Sequence, residues 1–344
     1  MPIKVGINGF GRIGRCLFRF LWDMPDVEIV LVNEIVGGAE TAAYLLKYDS
    51  THGTWDKEVD IENTTLESFS VEGKSVAFTS NRSLSDTEWT SYGVDIVCCC
   101  SGQFLSKEKL QPYFDGGVKR VIASAPIKED GVLNVVMGCN DDLLSEEHLI
   151  CTAASCTTNC LGPVVKVILE NLGIKHGCIT TIHNITGTQP IVDMVMTKKK
   201  DLRRCRSGMV NLVPTSTGSA TAISNIFPQL KGKLNGLAVR VPLINSSITD
   251  CVFEVERETT VEEVNAILKS ASEEGPLHGI LGFETRPLVS TDYTNDERSS
   301  IVDASCTMVM DGTCVKIYSW YDNEWGFSKR MAELTCKVAR EFCS

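Results

Sequence analysis

No apolar run in the 344-residue chain is long enough to span a bilayer. Positive charge is in deficit: 33 lysines and arginines face 44 acids, a formal net charge of -11. A general nucleic-acid or membrane surface is therefore not expected. The Cys/His spacings that hold zinc are missing, so no metal site is expected. Histidines number only five, which leaves few places for imidazole chemistry. No internal repeat or low-complexity segment occurs. The fifteen cysteines lack the look of a secreted disulfide framework, because the chain is long and several lie inside apolar strands. Met1-Pro2-Ile3 runs straight into a strand pattern, so a cytoplasmic protein without a targeting peptide is the expectation.

What is present is a globular composition, 43% hydrophobic, at a length that favours two domains. Ile3 to Ile7 reads as a buried strand. Gly9-Phe10-Gly11-Arg12-Ile13-Gly14 follows, and then an apolar helix pattern. Strand, glycine turn and helix in that order form the dinucleotide fingerprint. Gly9 permits the tight turn, Gly11 lets a pyrophosphate approach the backbone, and Gly14 lets the helix pack on the strand. The next strand ends at Glu34, whose carboxylate is placed to hold two ribose hydroxyls and to repel a 2′-phosphate. NAD is thereby favoured over NADP. Ser101 and Gly102 end a later strand and belong to the crevice where an open parallel sheet binds its ligand. The polar stretch from Thr51 to Asn81 reads as a hairpin insertion.

Ala154-Ser155-Cys156-Thr157-Thr158-Asn159-Cys160 leads into an apolar helical run. Unpaired N–H groups at a helix start favour an anion, so Cys156 is expected to be a nucleophile with a lowered pKa. Cys160, one turn on, reads as packing. His183, near the end of a strand, is the best candidate base. The run Lys198-Lys199-Lys200-Asp201-Leu202-Arg203-Arg204-Cys205-Arg206 is densely basic and reads equally as a solvated loop or an anion site. Thr217 and Gly218 precede a helix and suit an anion. Arg240 in a strand is costly to bury without one. Together these residues suggest thiol attack on an aldehyde, oxidation to a thioester with a dinucleotide, and cleavage by an oxyanion bound through Thr186, Arg204, Thr217, Gly218 and Arg240.

Three of these motifs, with Trp320-Tyr321-Asp322-Asn323-Glu324-Trp325-Gly326 and Asn235-Gly236-Leu237-Ala238-Val239-Arg240-Val241-Pro242, resemble the phosphorylating glyceraldehyde-3-phosphate dehydrogenases. The resemblance runs from Lys4 to the final helix. It implies an α/β chain: a Rossmann-type doubly wound parallel sheet over 1–154, completed by 323–344, and an α+β catalytic domain over 155–322 with a mostly antiparallel sheet. It implies oxidation of D-glyceraldehyde 3-phosphate with NAD and phosphate to 1,3-bisphosphoglycerate in glycolysis and gluconeogenesis, by a homotetramer. Cys156 would be the nucleophile and His183 its base. Arg12, Ile13, Glu34, Ser101 and Asn323 would contact NAD, with Asn323 at the nicotinamide amide. Thr186 and Arg240 would bind the substrate phosphate. Ser155, Thr157, Thr217 and Gly218 would bind the attacking phosphate, and Arg204 would lie between the two.

This sequence departs from the family pattern in places. Glu34 stands where Asp is common, Ser101 where Thr is common and Phe327 where Tyr is common. The segment 193–199 lacks the usual Pro-His. The stretches Leu212 to Ile223 and Thr249 to Val255 resemble a subgroup found beside arsenic-efflux permeases, which implies arsenate in place of phosphate and 1-arseno-3-phosphoglycerate as product. Two further functions compete: oxidation of a related aldehyde such as erythrose 4-phosphate, and a non-catalytic scaffold or nucleic-acid-binding use of the fold.

Overall fold

The computed structural model describes residues 1–187, 189–195 and 201–343. The chain divides into two compact units. One comprises Met1–Val135, Leu143–Ala154 and the chain from Ser328 onward; the other comprises Val136–Asp142 and Ser155–Phe327. The first unit breaks off at Ala154 and the second resumes at Ser155. Residues 136–142 and 323–327 group with the second unit instead of the first.

The first unit is built on a nine-stranded sheet. In spatial order the strands are Val59–Asp60, Ser68–Val71, Lys74–Thr79, Val27–Asn33, Ile3–Asn8, Ile96–Cys99, Arg120–Ala123, Ile150–Thr152 and Leu133–Asn134. All neighbours from Lys74–Thr79 onward are parallel, and only the first three strands form an antiparallel edge. That edge is the hairpin insertion read from the sequence. Parallel strands covered on both faces need near-continuous apolar residues, and Val5, Ile7, Leu31, Val32, Ile96 and Val97 are all buried. The strand order reverses between Ile3–Asn8 and Ile96–Cys99, so the ligand crevice of an open α/β sheet opens at Asn8 and Cys99. The final helix spans Trp325–Phe342. From Ser328 it belongs to this unit, where Arg340 pairs with Asp26 at 2.8 Å and Thr335 Oγ1 lies 3.5 Å from Cys98 Sγ.

The second unit has an eight-stranded, mostly antiparallel sheet. Its order is Val213–Ser216, Leu234–Arg240, His176–His183, Ser247–Glu254, Cys314–Tyr321, Ser300–Asp303 and Leu281–Glu284, with Met308–Met310 paired to Cys314–Tyr321. Helix Cys156–Leu172 is apolar on nearly every side because it is buried against the sheet and the helices Ser219–Ile226 and Val261–Glu273. Two features fix where that helix starts. Ser155 caps it by accepting the Thr158 N–H at 3.2 Å. Ala154, just before the cap, adopts φ +55°, a left-handed turn that an alanine holds only at a cost of about 1 kcal/mol. The parallel pairing of His176–His183 with Leu234–Arg240 ends with His183 opposite Arg240. The register alone therefore brings the candidate base beside the half-buried Arg240.

Candidate functional site

The sulfur of Cys156 lies 3.6 Å from His183 Nε2. The thiol is half-buried at the first residue of its helix, and the imidazole is buried at the end of its strand. Tyr321 supports both: its ring meets the His183 ring edge to face at 6.0 Å, and its hydroxyl bonds Thr157 Oγ1 at 2.9 Å and Thr181 Oγ1 at 2.8 Å. The lowered thiol pKa expected from the helix start is not what results. Burial outweighs the helix start and pushes the Cys156 thiol up; Arg240, then the Thr157 hydroxyl and the N–H groups of Thr157 and Cys156, pull against it. His183 is driven down to about 3, first by burial and then by the Arg240 charge. It is therefore neutral at physiological pH. Cys160 is fully buried against Thr249, Ser300 and Ser319, so it packs, as its spacing indicated.

Two neighbours compete for His183 Nδ1. Arg240 Nη1 stands 2.7 Å from it and the Asn184 carbonyl oxygen 2.9 Å from it. Arginine only donates. While Arg240 holds Nδ1, the ring proton sits on Nε2, facing the sulfur. When Nδ1–H donates to Asn184, Nε2 presents a lone pair to the sulfur. Arg240 also donates to Asn184 O at 3.2 Å, and its Nε is buried without a partner.

The basic run resolves residue by residue. Lys198, Lys199 and Lys200 lie outside the described residues. Arg203 pairs with Asp201 and Arg206 with Asp193 on the surface. Arg204 instead reaches the Ser216 carbonyl at 3.4 Å. Among the described residues no carboxylate forms an ion pair with Arg204 or Arg240. Arg204 thereby meets the turn that carries Thr217 and Gly218; Ser219 Oγ lies 3.2 Å from both Thr217 Oγ1 and Ser155 Oγ, and Thr186 is half-buried on the loop after His183. Two cations without counter-charge, beside hydroxyls and helix starts, form a site for anions.

In the first unit each glycine of the turn meets its requirement differently. A Cβ on Gly9, which has φ +93°, would lie 2.6 Å from the Ser101 backbone nitrogen, across the strand-order reversal. A Cβ on Gly14 would lie 2.2 Å from the Gly9 carbonyl oxygen. Gly11 faces open space. Glu34 accepts the Phe10 N–H at 2.7 Å, which draws its carboxylate over the turn. Arg12, beside Ile13 in the first helical turn, is gripped by both oxygens of Asp49, which also accepts the N–H groups of Thr51 and His52.

Residues 3–107 match the family model described as the glyceraldehyde 3-phosphate dehydrogenase NAD-binding domain, and residues 155–323 match the model of its C-terminal domain. The chain is 59% identical over 340 residues to glyceraldehyde-3-phosphate dehydrogenase 3 of Nostoc, covering 98% of this chain and 99% of that one. It is 47% identical, with the same coverage, to glyceraldehyde-3-phosphate dehydrogenase of Geobacillus stearothermophilus. The chain belongs to the glyceraldehyde-3-phosphate dehydrogenase family. It is an NAD-dependent oxidoreductase. The residues of the first unit fit that cofactor: open space at Gly11 admits a pyrophosphate, and the Glu34 carboxylate sits at the strand end where ribose hydroxyls need acceptors. In the second unit Asn323 is buried, with its Oδ1 accepting from Ser247 at 3.3 Å.

Sequence reasoning did not single out Asp49, Asn184, Tyr321 or Ser219 as site residues. Asn184 adjoins His183, and Ser219 directly follows Thr217-Gly218, so both had a local signal. Tyr321 lies inside the Trp320–Gly326 motif, two residues from Asn323, whereas Asp49 acts across a long stretch of chain and had no signal.

Proposed function

We propose that the chain oxidises D-glyceraldehyde 3-phosphate with NAD and phosphate to 1,3-bisphosphoglycerate through a thioester on Cys156. The carrying observation is the Cys156–His183 contact of 3.6 Å beside two arginines with no carboxylate partner. The sulfur adds to the aldehyde carbon, and its proton passes through His183 Nε2 to the carbonyl oxygen, forming a thiohemiacetal. Thr186 and Arg240 bind the substrate phosphate. When the substrate phosphate draws Arg240 off Nδ1, the ring takes the tautomer whose proton sits on Nδ1 and is donated to Asn184 O; Nε2 then has the lone pair that takes the thiol proton, hands it to the carbonyl oxygen and takes it back as the C=O re-forms. NAD, when bound, supplies the acceptor for the hydride that leaves this carbon, and the acyl group remains on Cys156 as a thioester.

Gly9, Gly11, Arg12, Ile13, Gly14, Glu34 and Ser101 would hold the cofactor, with Asn323 at the nicotinamide amide. Ser155, Thr157, Thr217 and Gly218 hold the attacking phosphate, with Arg204 between the two anions. Thr157 contributes through its N–H, because its hydroxyl faces Tyr321. A phosphate oxygen attacks the thioester carbon, the C–S bond breaks, and the sulfur recovers the proton that the phosphate gives up. His183 passes its proton to solvent.

We further propose a homotetramer, supported by exposed Ile191, Val192, Met194, Val195, Val210 and Leu212 within one short stretch. The compartment proposed is the cytoplasm, where a thiol nucleophile is kept reduced. No helix of the described residues is long and apolar enough to cross a membrane.

The test is NADH formation with glyceraldehyde 3-phosphate and with erythrose 4-phosphate, each with phosphate, with arsenate and with neither. Sustained turnover should need the triose and an oxyanion. Equal rates without an oxyanion, or a Cys156→Ser protein that still reduces NAD at the wild-type rate, would sink the mechanism.

A further inference from the structure

Beside Cys156 four hydroxyls stand in series. Thr217 Oγ1 donates to Ser219 Oγ at 3.2 Å, Ser219 Oγ lies 3.2 Å from Ser155 Oγ, and Ser155 Oγ lies 2.7 Å from Thr158 Oγ1. Each hydroxyl has one proton and two lone pairs, so the series can run in either direction by turning O–H bonds alone. Arg204, Arg240 and backbone N–H groups can only donate.

The three hydroxyls nearest the anion residues differ in what else they accept. Ser155 Oγ takes the Thr158 N–H, which caps the helix. Thr217 Oγ1 takes the Ser219 N–H at 3.2 Å. Ser219 Oγ has only hydroxyl neighbours. If Thr217 turns its O–H to a bound anion while Ser219 keeps donating to Ser155, Ser219 loses the one donor it has and its lone pairs stand vacant. Ser219 is buried, so that lone pair has no water to satisfy it cheaply. A ligand that brings a proton of its own fills it.

We propose that Ser219 is the specificity-determining residue for the attacking oxyanion. It accepts the one proton of a monohydrogen tetrahedral dianion, hydrogen phosphate or hydrogen arsenate, and so disfavours sulfate, which has the same shape and charge and no proton. The inference rests on the reading of Cys156 as acyl carrier with an oxyanion as acceptor.

The experiment uses the full-length enzyme and its Ser219→Ala and Ser219→Thr variants. Three quantities are measured: KM for phosphate, KM for arsenate, and Ki for sulfate against phosphate. Ser219→Ala should raise both KM values about tenfold, the scale of one hydrogen bond to a charged group. The sulfate Ki should hold within about twofold, and Ser219→Thr should restore discrimination. Equal weakening of phosphate and sulfate, unchanged KM values, or a loss confined to one of phosphate and arsenate would overturn the proposal. The first-turnover NADH burst without any oxyanion separates the two levels: its absence in the wild type would refute the acyl-carrier reading itself.

Discussion

Arg240 acts on both partners of the central pair, because one charge lies within reach of a thiol and an imidazole. It is the foremost group opposing the burial that raises Cys156, and it is second to burial in lowering His183. Arg240→Leu should move the pH midpoint of Cys156 alkylation by iodoacetamide to higher pH. A midpoint that stays put or falls would remove Arg240 from the thiol's surroundings. Asp49 offers a stability test of the same kind. Burial alone would raise its carboxyl, but the Arg12 hydrogen bonds and the N–H groups of His52 and Thr51 outweigh burial and hold it at about 2. A folded-state pKa below the unfolded one gives stability that is present above about pH 4 and lost as pH falls towards 2. Asp49→Asn should therefore cost about 2 kcal/mol at pH 7, with the difference closing in acid; chemical denaturation at both ends of that range measures it.

At the scale of elements, the glycine turn separates folding from binding. Gly11→Ala adds a methyl where nothing lies within 4 Å, so thermal stability should hold while NAD affinity falls. Gly14→Ala puts a methyl against the Gly9 carbonyl and should destabilise the protein by about 2 kcal/mol or more. Calorimetry and NAD titration of the two variants check this pair. If Gly11→Ala binds NAD as tightly as the wild type, the turn is not the pyrophosphate site.

The same elements mark what the sequence made legible. Glycine spacing, strand alternation and the capped helix are local patterns, so the turn, the parallel sheet and the start of the Cys156 helix could be read directly. The sign of the Cys156 shift could not, because it depends on how deeply the sulfur is buried. Nor could the His183–Arg240 contact, which depends on two strands far apart in sequence pairing in register. Arg204 is singled out in the sequence, but why it and not Arg203 or Arg206 is left without a counter-charge among the described residues shows only in the positions of Asp201 and Asp193.

Ile191, Val192, Met194, Val195, Val210 and Leu212 are exposed apolar side chains that the proposed tetramer would bury. Light scattering on the eluted peak should give about four times the 37.7 kDa chain mass. Val210→Asp together with Leu212→Asp should shift that mass to a smaller species, because charge is depleted from the core of such interfaces. A wild-type monomer would refute the assembly.

The return of the helix Trp325–Phe342 to the first unit also sets an order of events during synthesis. The strands that carry the glycine turn leave the ribosome early, but the helix that covers Cys98 and pairs with Asp26 emerges only after the whole second unit. A chain that stalls in between leaves apolar surface open where Met331, Leu334 and Val338 would pack. Such an unfinished chain is a natural client for chaperones and proteases.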